Sequence, residues 1–141
     1  LLENVDLDKM TFTGGKKTKS GTNRVVPIHP NIQEIVKQHY AESRALGSKY
    51  LFSAPRDKSK HDYFIYYAKY LDWFQLVCKT LDFGKHSPHD CRVQFVTMAK
   101  QYDVNEYAIK YLVGHSIKDL TERVYTKRTN EWLRTEIEKI K

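Results

Sequence analysis

Between Ser87 and Asp119 the sequence starts a helix three times, and no other feature limits the fold as tightly. Ser87 stands three residues before Asp90, Asp103 three before Glu106, and Ser116 three before Asp119. A short polar side chain just ahead of a helix can accept from a free backbone N–H. An acidic residue three places on can reach back to the first N–H, so each pair satisfies two donors that a helix start leaves open. Pro88 suits the first helical position, where no N–H is required. The spacing predicts helices over 88–102, up to a stop at Gly114, and over 117–125. A last helix is expected over 130–140, where Leu133, Ile137 and Ile140 recur at i, i+4, i+7.

The N-terminal part reads differently. Val5 and Leu7 alternate with polar neighbours, Asp8-Lys9 makes a turn, and Met10 and Phe12 alternate again, which is a hairpin pattern. Gly14, Gly15 and Gly21 bracket a basic loop, Lys16-Lys17-Thr18-Lys19-Ser20, and a third strand is expected over 22–28. Pro30 opens a helix whose apolar positions are Ile32, Ile35, Val36 and His39, with Gly47 as its stop. Residues 50–53 suit a short strand or turn, and 55–61 a polar loop. The longest helix is expected over 62–80, with Phe64, Tyr67, Ala68, Leu71, Phe74 and Cys78 on one face. Its tyrosines, Tyr63, Tyr66, Tyr67 and Tyr70, read as core rather than as a base-stacking surface. The fold class is therefore α+β, mostly helical, with a small three-stranded antiparallel sheet at the N-terminus.

With 141 residues, 40% of them hydrophobic, one domain with its own core is expected. A net charge of +7 suits a polyanionic partner, nucleic acid first. Two cysteines, Cys78 and Cys91, make no disulfide framework and fit a reducing cytosol. No apolar run has membrane-spanning length and no signal peptide is evident, so no membrane partner is expected.

On the 88–102 helix, Cys91, Phe95, Met98 and Tyr102 read as the apolar face. At roughly 100° per residue, His89 and Arg92 fall about 60° apart and off that face. An imidazole and a guanidinium in the first turn of a helix suit a phosphate, because the free N–H groups and the dipole there favour anions. The same spacing equally fits a surface His and Arg. His115 lies between a helix-ending Gly and a helix-starting Ser. Tyr125 is one of ten tyrosines and sits off the apolar stripe of Ile117, Leu120 and Val124.

Taken in order, His86-Ser-Pro-His89-Asp-Cys-Arg92, then Leu112-Val-Gly-His115-Ser, then Tyr125 resembles the catalytic domain of the tyrosine recombinase (phage integrase) family. That family carries His-x-x-Arg, Leu-x-Gly-His and a nucleophilic Tyr about one short helix later. The resemblance covers nearly the whole chain. It implies that Tyr125 attacks a phosphodiester of double-stranded DNA and becomes joined to the 3′ phosphate. Arg92, His89 and His115 would hold the non-bridging oxygens. The family's catalytic lysine lies in a β-hairpin turn; Lys19 matches best as general acid and Lys17 is the alternative. Lys16, Lys17 and Arg24 would contact DNA. The covalent intermediate keeps the bond energy, so strands rejoin without ATP, and neither cofactor nor metal is implied. The expected partner besides DNA is further copies of the protein, as a tetramer on DNA, in a bacterial cytoplasm and on a phage or mobile element.

Several departures stand out. The family's first catalytic arginine, in an Arg-x-x-Glu context, is not found, and neither is a separate N-terminal DNA-gripping domain. The chain also begins at Leu1 without Met, so a fragment truncated after that arginine is expected. Tyr125 lies ten residues beyond His115 where many members have nine, and Val93 stands where many have a second His. Two other readings stay open. A metal-dependent phosphohydrolase would use His86, His89 and Asp90. A plain DNA-binding or assembly module would use the positive charge alone.

Overall fold

The computed structural model describes residues 1–15, 21–54, 63–117 and 129–141. The chain opens with a single 3-10 turn, Leu2–Asn4. Three antiparallel strands follow, β1 (Val5–Asp6), β2 (Thr11–Gly14) and β3 (Arg24–Pro27), in that order across the sheet. Phe12 pairs with Val5 on one side and Val26 on the other, so the expected alternation sets the register. The strands are shorter than expected at two ends. Met10 sits in the β1–β2 turn with φ 46°, where the Asp6 carboxylate accepts the Lys9 N–H at 2.8 Å. Asn23 has φ 56°, a left-handed conformation that Asn tolerates, and it delays β3 to Arg24.

Helix α1 (Pro30–Ala45) begins as expected, with Pro30 at its first position. Its cap is His29, whose Nδ1 accepts the Asn31 N–H at 3.2 Å. The Nε2 of the same ring lies 2.9 Å from the Ile140 carbonyl oxygen and donates to it, so one neutral tautomer serves both ends of the chain. The expected apolar face is only partly right. Val36 is buried, but Ile32 and Ile35 are exposed. The seam instead runs through Val36, Tyr40 and Ser43, because Ser43 Oγ donates to the Leu51 carbonyl at 3.0 Å and draws the 50–53 turn onto that side.

Helix α2 (Tyr67–Thr80) starts later than expected, and residues 63–66 are not helical. The reading of its tyrosines as core is corrected: Tyr66, Tyr67, Tyr70 and Trp73 are all exposed, and only Cys78 is buried. These rings pack along the surface on one another. Tyr67, Tyr70 and Phe74 form a ladder with centroids 6.4 and 6.3 Å apart.

The principal core lies where α3 (Pro88–Gln101), α4 (Glu106–Val113) and α5 (Asn130–Ile137) meet the sheet. It contains Ala99, Val104, Ala108, Ile109, Leu112, Leu133 and Ile137. The buried side of α3 is Phe95, Val96 and Ala99; Cys91 and Tyr102, expected there, are exposed. Arg92 shares that side, one turn ahead of Phe95 and Val96, so it lies on the packed face rather than off it. The cap of α4 is Asn105, whose Oδ1 accepts the Tyr107 N–H at 2.9 Å, while Asp103 occupies a turn with φ 51°. Asn105 displaces Asp103 because the buried Val104 must turn inward before the helix begins. Helix α5 is capped by Thr129, whose Oγ1 accepts the Trp132 N–H at 3.1 Å, and it ends at Ile137. The expected 117–125 helix and the Ser116–Asp119 pair fall largely outside the described residues. No described helix is long and apolar enough to cross a membrane.

Candidate functional site

The C-terminal end of α4 organises the site. Gly114 adopts φ 71°, and two backbone bonds close the helix around it: His115 N–H to Lys110 O at 2.8 Å and Gly114 N–H to Tyr111 O at 3.0 Å. This is the six-to-one and five-to-two pattern that a left-handed glycine makes possible. It leaves His115 exposed immediately past the helix. Tyr111, which sequence reasoning missed, joins α4 to the sheet by accepting the Val25 N–H at 3.3 Å.

Two guanidinium groups reach the same turn. Arg92, from α3, donates through Nη2 to the Val113 carbonyl. A cation is favoured there because the last carbonyls of a helix carry partial negative charge. Behind Arg92 lies an apolar cavity of about 460 Å³, lined in part by Phe95, Met98, Leu112 and Ile137. Arg24, from β3, lies against Gly114, and its Nη1 is 3.5 Å from the Gly21 carbonyl oxygen. Its Nε is buried and has no hydrogen-bond partner among the described residues.

The start of α3 is built as the sequence implied. Asp90 accepts the Ser87 N–H at 2.9 Å and the Ser87 hydroxyl at 3.1 Å. The Ser87 backbone donor, with help from His86, holds the Asp90 carboxyl below the usual carboxylate range. His89 is exposed in this first turn, three residues before Arg92. His86 Nδ1 lies 3.2 Å from Asp90, so those two pair with each other. Among the described residues no three His, Cys, Asp or Glu side chains are grouped to hold a metal ion.

The structure therefore brings Arg92, Arg24 and His115 around one turn and places His89 on the helix that carries Arg92. Lys16, Lys17, Lys19 and Tyr125 lie outside the described residues. Among the described residues, no carboxylate pairs with Arg24, His89, Arg92 or His115. Guanidinium and imidazole groups at one place, with no carboxylate beside them among the described residues, suit an oxyanion such as a phosphodiester.

Comparison with known proteins bears directly on that chemistry. The chain is 34% identical over 142 residues to a protein named tyrosine recombinase XerA from Thermococcus kodakarensis, across 99% of this chain and 47% of that protein. It is 31% identical over 145 residues to a protein of the same name from Pyrococcus horikoshii, with the same coverage. Along its whole length the chain is similar to tyrosine recombinases. It spans about half the length of the curated recombinases it matches. No protein-family model matches it, and no solved structure matches it significantly. Within the chain the helix-ending Gly114 and the Ser87–Asp90 cap were legible from residue spacing. The convergence of Arg24 and Arg92 was not, since it depends on how β3 and α3 pack against α4.

Proposed function

We propose that this chain is the catalytic part of a site-specific DNA recombinase that cleaves and rejoins double-stranded DNA through a covalent 3′-phosphotyrosine. The observation that carries the reading is the gathering of Arg92 and exposed His115 at the α4 terminus, with no described carboxylate to neutralise them. Tyr125 is the nucleophile. Its oxygen bonds to phosphorus as its phenolic proton leaves, and the phosphorus–O5′ bond breaks. Lys19 gives the departing O5′ its proton, with Lys17 as the alternative donor. Charge that grows on the non-bridging oxygens is met by Arg92, His89 and His115 through directed hydrogen bonds. A free DNA 5′ hydroxyl then attacks the phosphotyrosine and restores the backbone, so no outside energy source is consumed. Lys16 and Lys17 contact neighbouring phosphates, and the assembled form is a tetramer on DNA.

The test is covalent capture on duplex DNA nicked beside the cleaved phosphate, performed with the full gene product. Tyr125→Phe should abolish the adduct while leaving DNA affinity within about twofold, because only the attacking oxygen is lost. Arg92→Ala should reduce the capture rate by roughly 10²–10³, the scale of removing one oxyanion donor. Adducts that persist in the Tyr125→Phe protein would place the nucleophile elsewhere.

A further inference from the structure

Arg24 occupies a space that two glycines, Gly15 and Gly114, keep open. A methyl group at residue 114 would overlap Arg24 Nη1 and stand 3.0 Å from its Cζ. One at residue 15 would run into the Gly21 carbonyl and stand 3.2 Å from the same Nη1. Gly15 and Gly21 flank the basic 16–20 segment between β2 and β3, and Gly114 is the residue before His115. One guanidinium thus sits where both ends of that loop meet the turn that carries the imidazole. Its stem is anchored on β3, its Nη1 points at Gly21 O, and its Nε is buried without a partner among the described residues. Arg24 as a whole is half-buried, and its Nε is shielded from solvent.

We propose that Arg24 is a positioning residue, one that seats the His115 turn against the base of the β2–β3 loop rather than gripping DNA itself. The role rests on the recombinase reading, since only a reaction at that turn makes the place of His115 matter. Gly114 then has two duties. It supplies the left-handed backbone that ends α4, and it leaves room for the guanidinium.

The experiment has one arm without DNA and two with it. In the full chain, the His115 amide and imidazole resonances are recorded for the unmodified protein, Arg24→Lys and Arg24→Met. Both variants should displace these resonances while those of Ser87 and Asp90 stay put. Lysine keeps the charge but cannot fill the same planar space. Gly114→Ala should displace the His115 resonances too, and adding Arg24→Met to it should displace them little further. If Arg24→Met fails to fold, Arg24→Lys carries the comparison.

The second arm is the dependence of duplex affinity on salt. A positioning residue leaves the slope of log K against log salt unchanged in Arg24→Met. A direct phosphate contact lowers it by about one. In the third arm, the full gene product carrying Arg24→Lys should cleave nicked DNA roughly 10- to 100-fold more slowly at unchanged affinity, the scale of a small misplacement. Unmoved His115 resonances in both variants, or a slope reduced by about one, would overturn the proposal. Absence of any duplex binding by the unmodified chain would count against the recombinase reading alone, because the resonance arm still reports where Arg24 acts.

Discussion

Glu136 is a buried acid that holds two helices together. Its carboxylate accepts the Asn105 N–H at 2.7 Å, at the start of α4, and the Lys139 ammonium at 2.8 Å. Burial pushes its pKa up, but Asn105 and Lys139 together outweigh that and leave it below the ordinary value of 4.5. A carboxyl with a depressed folded-state pKa stabilises the fold fully above its unfolded value, and that contribution disappears as pH falls through the folded value. Glu136→Gln should therefore destabilise the chain at neutral pH, by about 1–3 kcal/mol for a charged bond lost. The gap between the two proteins should close in melts taken near pH 3. A gap of equal size at both pH values would show that the charge of Glu136 is not what matters.

At the scale of elements, α5 closes the core. Leu133 is 1% exposed and Ile137 7%, both packed into the cluster with Ala99, Ala108 and Leu112. Leu133→Ala should cost about 2–5 kcal/mol, read from denaturant midpoints, because the surrounding helices cannot fully collapse into the space. A loss under about 1 kcal/mol would mean that α5 docks loosely. This element was legible in the sequence: the i, i+4 apolar spacing of Leu133 and Ile137 needs no tertiary information. So were the three strands, whose alternation fixes which side chains face inward. Helix α2 shows where such reading stops. An apolar spacing states that a face could be buried, and it cannot state that a partner is present. Phe64, Tyr67 and Ala68 had the spacing and remain exposed. The site divided in the same way. Local backbone demands made Gly114 and the Ser87–Asp90 cap readable. Arg24 met Gly114 across a sequence gap that no local pattern records.

For the molecule as a whole, the proposed recombinase role predicts that the charge of +7 gives duplex DNA a sequence-independent hold on the chain. If about four phosphates are contacted, affinity should fall roughly 100-fold between about 50 and 200 mM salt. Fluorescence anisotropy with an unrelated short duplex measures this, and a flat salt response would argue against a phosphate-binding face. The ends of the chain are stitched together as well. Arg134 on α5 donates to the Lys9 and Met10 carbonyls of the β1–β2 turn, across sequence separations of 125 and 124 residues. His29 reaches Ile140 in the same way, across 111. Such distant pairings form slowly, since most of the chain must be drawn together before they contribute. They also set an order of events during synthesis. A ribosome that has released everything up to Val113 has made the sheet, α1, α3 and α4, yet the apolar surface that Leu133 and Ile137 cover is still bare. That surface stays uncovered until residues 130–137 have been made, so the first strands are secured by a helix synthesised more than a hundred residues after them.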